Sequence, residues 1–468
     1  MVNSPSLSLR KELCTLDVSS KRATIAARID RIPLFSLHRK LAAVLGLGTF
    51  FDLYDIFLGG ILAPVLTKAF GLNGFETSLV IGSGFFGMFV GANILGVVSD
   101  YVGRRTMYMI DLLVYSVFTL LAAFSPSFAF FIVCRFLAGL GLGATPPITD
   151  VYLGEMVPRH ARGRYTAWSY TLGFLGVPVV GLLGLALVPT SILLSGWRWL
   201  LVVGALGAII VWFVRRGLPE SPRWFEIRNR PDDAERAMQA IEQEARQETH
   251  AQELPEPKEL VVETQHKASL AELFSSEYAR RTIMLWIFQI FQTVGYYGFG
   301  SLAPIVLTAR GFSIVKSLEY TGLSYLGYPL GSLISVPLVE RVERKWLIVG
   351  AALAMAVLGL IFGLAGSVPV IIAAGFLLTV TSNLFSNSFH IYQAEIFPTR
   401  MRGTAVGVAY SLSRLVSGIL PFAAIPLLHA SGAGAVFAAA AIILVLLCLD
   451  VALLGPRSTG RTLEDVAQ

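Results

Sequence analysis

The sequence predicts an all-α membrane protein of twelve transmembrane helices, built as two six-helix bundles that repeat in parallel. Three observations predict it. Of 468 residues, 54% are hydrophobic and 15% charged, where a soluble domain carries about 25% charge, and mean hydropathy is +0.66. Apolar runs of about 17 to 25 residues, enough to cross a bilayer as a helix, recur along the chain. The second half repeats the first at a constant offset of 240 residues. This composition excludes secreted, cytosolic and nucleic-acid-binding classes, so the net charge of +6 reads as a means of orientation.

The elements follow in order. Charged and Pro/Gly-rich breaks bound spans near 41–67, 77–99, 107–124, 128–152, 165–188 and 197–214, then 281–308, 317–340, 346–364, 369–392, 403–429 and 433–454. Residues 1–40 form a polar, basic tail with no apolar core, so no cleavable leader is expected. Residues 41–214 and 281–454 are the two bundles, and 455–468 a short tail. The charged stretch 215–280 reads as a soluble linker, helical over 232–242 and disordered near Pro255–Pro257. Lys and Arg crowd one side: Arg104, Arg105, Arg159, Arg162, Arg164, Arg341, Arg344, Lys345, Arg400 and Arg402. The other side holds little beyond Lys68, Arg198, Arg310 and Lys316. The basic side is expected to be cytoplasmic, with both termini inside a plasma membrane of bacterial inner-membrane type. Cys14, Cys134 and Cys448 are too far apart to suggest a disulfide framework or a metal site.

The repeat is dense at particular positions. Leu62-Ala63-Pro64 recurs as Leu302-Ala303-Pro304, Gly71 as Gly311, and Gly87 and Gly91 as Gly327 and Gly331. Asp100, Arg104 and Arg105 recur as Glu340, Arg344 and Lys345. Tyr152, Glu155, Arg162 and Gly163 recur as Tyr392, Glu395, Arg402 and Gly403. Six spans per half, an even number, make the repeats parallel. Two such halves facing each other would enclose a site near mid-depth and expose it to each side in turn by rocking.

The repeated residues resemble the major facilitator superfamily over nearly all of 41–454. Asp100-Tyr-Val-Gly103-Arg104-Arg105 is similar to its signature loop between helices two and three. The Glu155–Arg162 and Glu395–Arg402 loops resemble those of sugar porters and metabolite:proton symporters, as do Gly196-Trp197-Arg198-Trp199 and Pro219-Glu220-Ser221-Pro222-Arg223. Ser169–Gly173 lacks the helix-five glutamine of hexose porters, and helix seven displaces one paired glutamine, which points away from a hexose. Phe51-Asp52-Leu-Tyr-Asp55 resembles helix one of aromatic-acid:proton symporters.

Charges at membrane depth cost roughly 2.5 to 3.5 kcal/mol each and usually face a cavity or a partner. Asp52 and Asp55 lie mid-depth in span one and share a helix face. Two neighbouring carboxylates in a dry site cannot both stay ionised, so one is expected to take and release a proton. Arg414 in span eleven and Arg135 in span four remain cationic and can hold a carboxylate. None of these four is duplicated: their counterparts are Gln292, Gly295, Phe174 and Gly375. The duplicated loop charges are therefore expected to serve gating and scaffold, through ion pairs between bundles: Asp100, Gly103, Arg104, Arg105, Glu155, Arg162, Glu340, Arg344, Glu395 and Arg402. Remaining substrate contacts are expected from Tyr54, Gln289, Gln292, Tyr296, Tyr297, Asn383 and Asn387. Asp111 and Asp150 read as interface residues near span ends, and His390 as a packed histidine.

Together these imply a secondary active transporter, a monomer in a lipid bilayer, that imports a small organic anion with protons. It needs no cofactor or metal and binds no nucleic acid; no nucleotide motif suggests an ATP-driven pump. A neutral sugar or polyol carrier and a non-transporting nutrient receptor are the rival readings.

Overall fold

The computed structural model describes residues 24–250, 253–257, 270–276, 278–397 and 399–457. Its secondary structure is helical, with no strand among the described residues. A short α1 (Ile25–Asp30) precedes α2 (Ser36–Phe70), α3 (Gly74–Val102) and α4 (Arg104–Ala123). Next come α5 (Phe128–Leu142), α6 (Thr145–Met156), α7 (Arg159–Phe174), α8 (Gly176–Leu187) and α9 (Gly196–Arg215). The linker holds α10 (Pro222–Ile227) and α11 (Pro231–Thr249). The second half has α12 (Ala279–Ala309), α13 (Ile314–Tyr325), α14 (Gly327–Arg341), α15 (Arg344–Leu364), α16 (Val368–Glu395) and α17 (Thr399–Leu454).

Eleven helical stretches are long and apolar enough to cross a membrane. The last, α17, is two spans joined at Gly432, whose φ of 80° is not helical, so twelve crossings result. Spans four, five and eight are each interrupted, into α5–α6, α7–α8 and α13–α14. Prolines account for this: Pro146 and Pro147 open α6, and Pro178 and Pro329 sit at the third position of α8 and α14. Each lacks an N–H and crowds the carbonyl four residues back.

The repeat survives in three dimensions. A Cβ on Gly87 or Gly91 would come within 2.0 Å of the Phe136 or Leu140 carbonyl oxygen; on Gly327 or Gly331 it would meet those of Phe376 and Val380 at 2.5 and 2.3 Å. The contacted residues are themselves 240 apart, so both halves cross α3 on α5 and α14 on α16 in the same register. Such backbone contact is the close packing that small residues permit in a bilayer.

Chain direction alternates, which defines a face carrying α1 and the linker (the linker face) and an opposite face. Contacts between halves concentrate from mid-depth to the opposite face. Phe57 meets Tyr325 and Tyr328 edge-on, Phe75 and Phe86 pack on Phe422, and the Ser78 hydroxyl donates to the Pro421 carbonyl at 3.1 Å. Toward the linker face the cross-half contacts end with Thr171–Ser332 at 3.1 Å and the stacked Tyr170–His390 pair. Asp150, which accepts from the Tyr170 hydroxyl at 3.0 Å, remains exposed. The halves are thus parted on the linker face.

On that face α1 lies against α10 and α11. Arg28 bonds both Glu235 at 2.6 Å and Glu242 at 3.0 Å, and Arg31 bonds Glu242 at 2.8 Å and the Pro255 carbonyl at 3.1 Å. The stretch around Pro255, expected to be disordered, is therefore anchored. Asp30 bonds Arg159 at the start of α7, at 3.1 Å.

Candidate functional site

Helix α2 carries both aspartates inward, and the structure gives them different partners. Asp55 is fully buried and accepts from Arg135 of α5 at 2.5 Å. Gly59 and Gly84 leave the room this guanidinium occupies, each with its Cβ position 3.7 and 3.3 Å from Nη2. Arg135 is thereby committed to Asp55. Asp52 is buried too, but unlike Asp55 neither of its carboxylate oxygens has a hydrogen-bond partner. The strongest opposite charge acting on Asp52 is Arg414, from the other half.

Arg414 is 4% exposed. Its guanidinium lies over the rings of Tyr297 and Tyr410 at 4.9 and 4.6 Å, and it donates to the Tyr410 hydroxyl, while Nη1 lacks a hydrogen-bond partner. Tyr296 packs edge-on to Tyr297 at 4.7 Å and meets Tyr328, and Phe85 from the first half closes on Tyr297. An amide row runs alongside: Gln292 donates to Gln289 at 3.1 Å, Gln289 to Gln393 at 2.9 Å, and Gln393 contacts His390 at 3.2 Å. His390 is thus not simply packed; it joins this row to Tyr170 of the other half. Asp52, Arg414, Gln289, Gln292, Tyr296 and Tyr297 form one neighbourhood at the seam.

Other expected contacts fall elsewhere. The Tyr54 hydroxyl donates to the Leu200 carbonyl at 2.9 Å, inside the first half. Asn383 donates to the Tyr328 carbonyl at 2.5 Å and Asn387 to Ser335 at 2.6 Å, tying α16 to α14. These three bind helices together. A buried amide or phenol must find a partner somewhere, and a neighbouring backbone serves as well as a ligand.

The residues expected to gate between bundles pair within each half in this structure. Each described ion pair there lies within one half: Arg104 with Asp100 at 2.7 Å and with Glu155 at 3.5 Å, and Arg344 with Glu395 at 3.2 Å. These are the same bond made twice, 240 residues apart. The Glu220 carboxylate caps α4 by accepting from the backbone N–H of Arg104 at 3.0 Å and of Arg105 at 3.1 Å. It lies so close that a Cβ on Gly103, already at φ 105°, would sit 2.5 Å from its oxygen. The Arg105 side chain reaches the Arg216 carbonyl at 2.6 Å. Arg162 makes no described ion pair, and its Nε and Nη2 are unbonded. The side chains of Glu340 and Arg402 lie outside the described residues.

Two charges escaped the sequence reading. Asp111 of α4, read as an interface residue, is fully buried, with neither oxygen hydrogen-bonded. Arg215, counted with the linker bases, is equally buried; its guanidinium lies 3.5 Å over the Tyr108 ring and 5.0 Å from that of Tyr152. Asp111 could have been found by its place as the fifth residue of the apolar span 107–124; nothing in the sequence distinguishes Arg215 from an anchoring base. A separate cavity of about 140 Å³ between α12, α15, α16 and α17 is lined only by apolar side chains and glycine, among them Phe299, Met355 and Leu444. It has no group to hold a charge.

Two bundles repeated in parallel, meeting over buried charges, are the architecture of a membrane carrier. The family described as sugar (and other) transporter matches residues 41–468, and the chain belongs to it, within the major facilitator superfamily. It is 33% identical over 389 residues to the putative metabolite transport protein YyaJ of Bacillus subtilis, covering 83% of this chain and 86% of that protein. It is 30% identical to the niacin transporter NiaP of Acinetobacter baylyi, covering 94% and 99%, and 27% to the 4-hydroxybenzoate transporter PcaK of the same organism, covering 88% and 89%. Its fold is that of the Escherichia coli xylose transporter XylE in a partially occluded inward-open conformation, with TM-score 0.73 at 20% identity over 92% of this chain and 100% of that one. The chain is a membrane transporter of metabolites, not an enzyme.

Proposed function

We propose that this chain is a proton-coupled symporter that takes up a small organic anion, an aromatic or other carboxylate. One observation carries the reading: a buried guanidinium with an unbonded nitrogen, Arg414, is the opposite charge that bears most on an unbonded buried carboxylate of the other half, Asp52, amid tyrosines. With Asp52 ionised, it competes for Arg414. Once Asp52 takes a proton, Arg414 is released to hold a cargo carboxylate with two parallel hydrogen bonds, and Tyr296, Tyr297 and Tyr410 offer ring faces to an aromatic cargo. Proton and anion then enter together, and a site of balanced charge permits the rocking step. Two relatives named for niacin and 4-hydroxybenzoate, both aromatic carboxylates, support this class of cargo. The protein would act as a monomer in a bacterial inner membrane with its linker face toward the cytoplasm.

The test is uptake into proteoliposomes, with radiolabelled 4-hydroxybenzoate and niacin as probes. A pH gradient should drive accumulation in the native protein and fail in Asp52→Asn. Full gradient-driven accumulation in Asp52→Asn/Asp55→Asn would refute the coupling assignment. The amide row Gln289–Gln292–Gln393 favours a second reading, a neutral sugar or polyol; competition by sugars but not by carboxylates would select it.

A further inference from the structure

Resting on the coupling reading above, we propose that Asp111 is a second proton-carrying carboxyl, which passes the proton between Asp52 and the linker face beside Tyr108 and Arg215. Helices α2 and α4 both run from the linker face toward the opposite face. They touch where Gly48 meets the Tyr108 hydroxyl so closely that a Cβ there would overlap it. One turn further along each helix stand Asp52 and Asp111. Both are buried and both have two unbonded oxygens. Below them, at the linker-face end of α9, Arg215 is buried over the Tyr108 ring with none of its three nitrogens hydrogen-bonded. A column of ionisable groups thus runs inside the first half, from Asp52 at the seam down to Arg215.

The contrast with Asp55 decides its meaning. A buried charge held for structure takes a direct partner, as Asp55 takes Arg135, because leaving it bare is costly. Asp52, Asp111 and Arg215 make no such bond, so either carboxyl can change protonation without breaking one. The repeat agrees: Asp111, Tyr108 and Arg215 correspond to Ala351, Ile348 and Gly455, so the column is as unduplicated as the seam charges. The charged groups acting on Asp111 are Asp52 from α2 and Arg215 from α9; Tyr152 of α6 lies beside Arg215. Of the neighbouring charges on α5 and α3, Arg135 is held by Asp55 and Asp100 is bonded to Arg104. In the step, the O–H of Asp52 breaks and one forms on Asp111. Asp111 then yields that proton to solvent on the linker face, and both carboxylates are restored. Arg215 is a positioning residue whose charge keeps Asp111 from retaining the proton.

The test uses the full chain in proteoliposomes, with 4-hydroxybenzoate as probe and infrared titration of the carboxylic-acid C=O band. Asp111→Asn should slow gradient-driven uptake at least about tenfold, with a smaller fall in equilibrium exchange, and should remove one titrating component of the band. Arg215→Gln should move the midpoint of that component to higher pH. An unchanged band in Asp111→Asn, or equal loss of uptake and exchange, overturns the relay. Should Asp111→Asn not fold, Arg215→Gln decides alone: an unmoved midpoint overturns it. Failure of the underlying reading looks different, since Asp52→Asn would then still accumulate probe up a pH gradient.

Discussion

Single side chains divide here into those spent on one another and those left available. Asp55 and Arg135 are spent. Removing one partner strands a buried charge, so Asp55→Ala or Arg135→Ala should each destabilise the protein by about 3–5 kcal/mol. The double variant should cost less than the sum, as a thermal-unfolding double-mutant cycle in detergent would show. Arg414 is available. Arg414→Lys keeps the charge but loses the planar fork, and should raise KM for 4-hydroxybenzoate by about tenfold or more, the worth of one charge-assisted hydrogen bond, with little change in unfolding temperature. The four seam and core charges were legible because a charge in an apolar run stands out. The uses of Tyr54, Asn383 and Asn387 were not, because neutral polar groups bond helices as readily as they bind ligands. Arg215 was hidden by its position at a helix end, where bases ordinarily anchor.

At the level of helices, the close crossings are the constraint. Gly91→Val would push a side chain into the Leu140 carbonyl, 2.0 Å from the added Cβ, and should cost about 3 kcal/mol or more. Gly96→Val on the same helix meets nothing within 4 Å and should leave unfolding unchanged; the pair of melting curves checks this. The clasp of α1 on α11 depends on charge. Burial alone would raise the Glu242 carboxyl, but hydrogen bonds from Arg28 and Arg31 outweigh it and hold it below the usual carboxylate range. Its contribution is therefore complete at neutral pH and is lost as pH falls below about 4. Hydrogen exchange of residues 25–30 should accelerate there, and in Glu242→Gln at neutral pH as well. The spans themselves were legible from apolar length. The breaks at 143–144, 175 and 326 were not read, although their prolines stand in the sequence, because apolar length is insensitive to a proline within a span.

For the whole molecule, the repeat was the strongest sequence signal, and it reappears as matched glycine crossings and matched Arg–Glu bonds. Which ends of the halves touch was beyond the sequence, since every rocking state keeps those local contacts. The described ion pairs of these loops lie within each half while the linker-face seam is parted; opposite charges in two loops show that they can pair, not in which state or with which copy. With Asp150 exposed and the linker-face seam parted, Asp150→Cys in a Cys14→Ser background should react with a membrane-impermeant maleimide from the linker face. A seam-filling probe at Arg414 should protect it, while Cys134 and Cys448 stay silent in their buried positions.

The attachments of α10 and α11 carry one more consequence. Glu220 caps α4, Trp224 and Arg228 both donate to the Asp100 carbonyl at 2.9 Å, and α11 is strapped to α1. Helices α10 and α11 are therefore fastened to the first bundle and ride with it as a rigid handle. A fluorophore at the exposed Gln243 would keep a constant distance to any dye on that bundle and a fluctuating one to a dye on its twin, reading each turnover from outside the lipid.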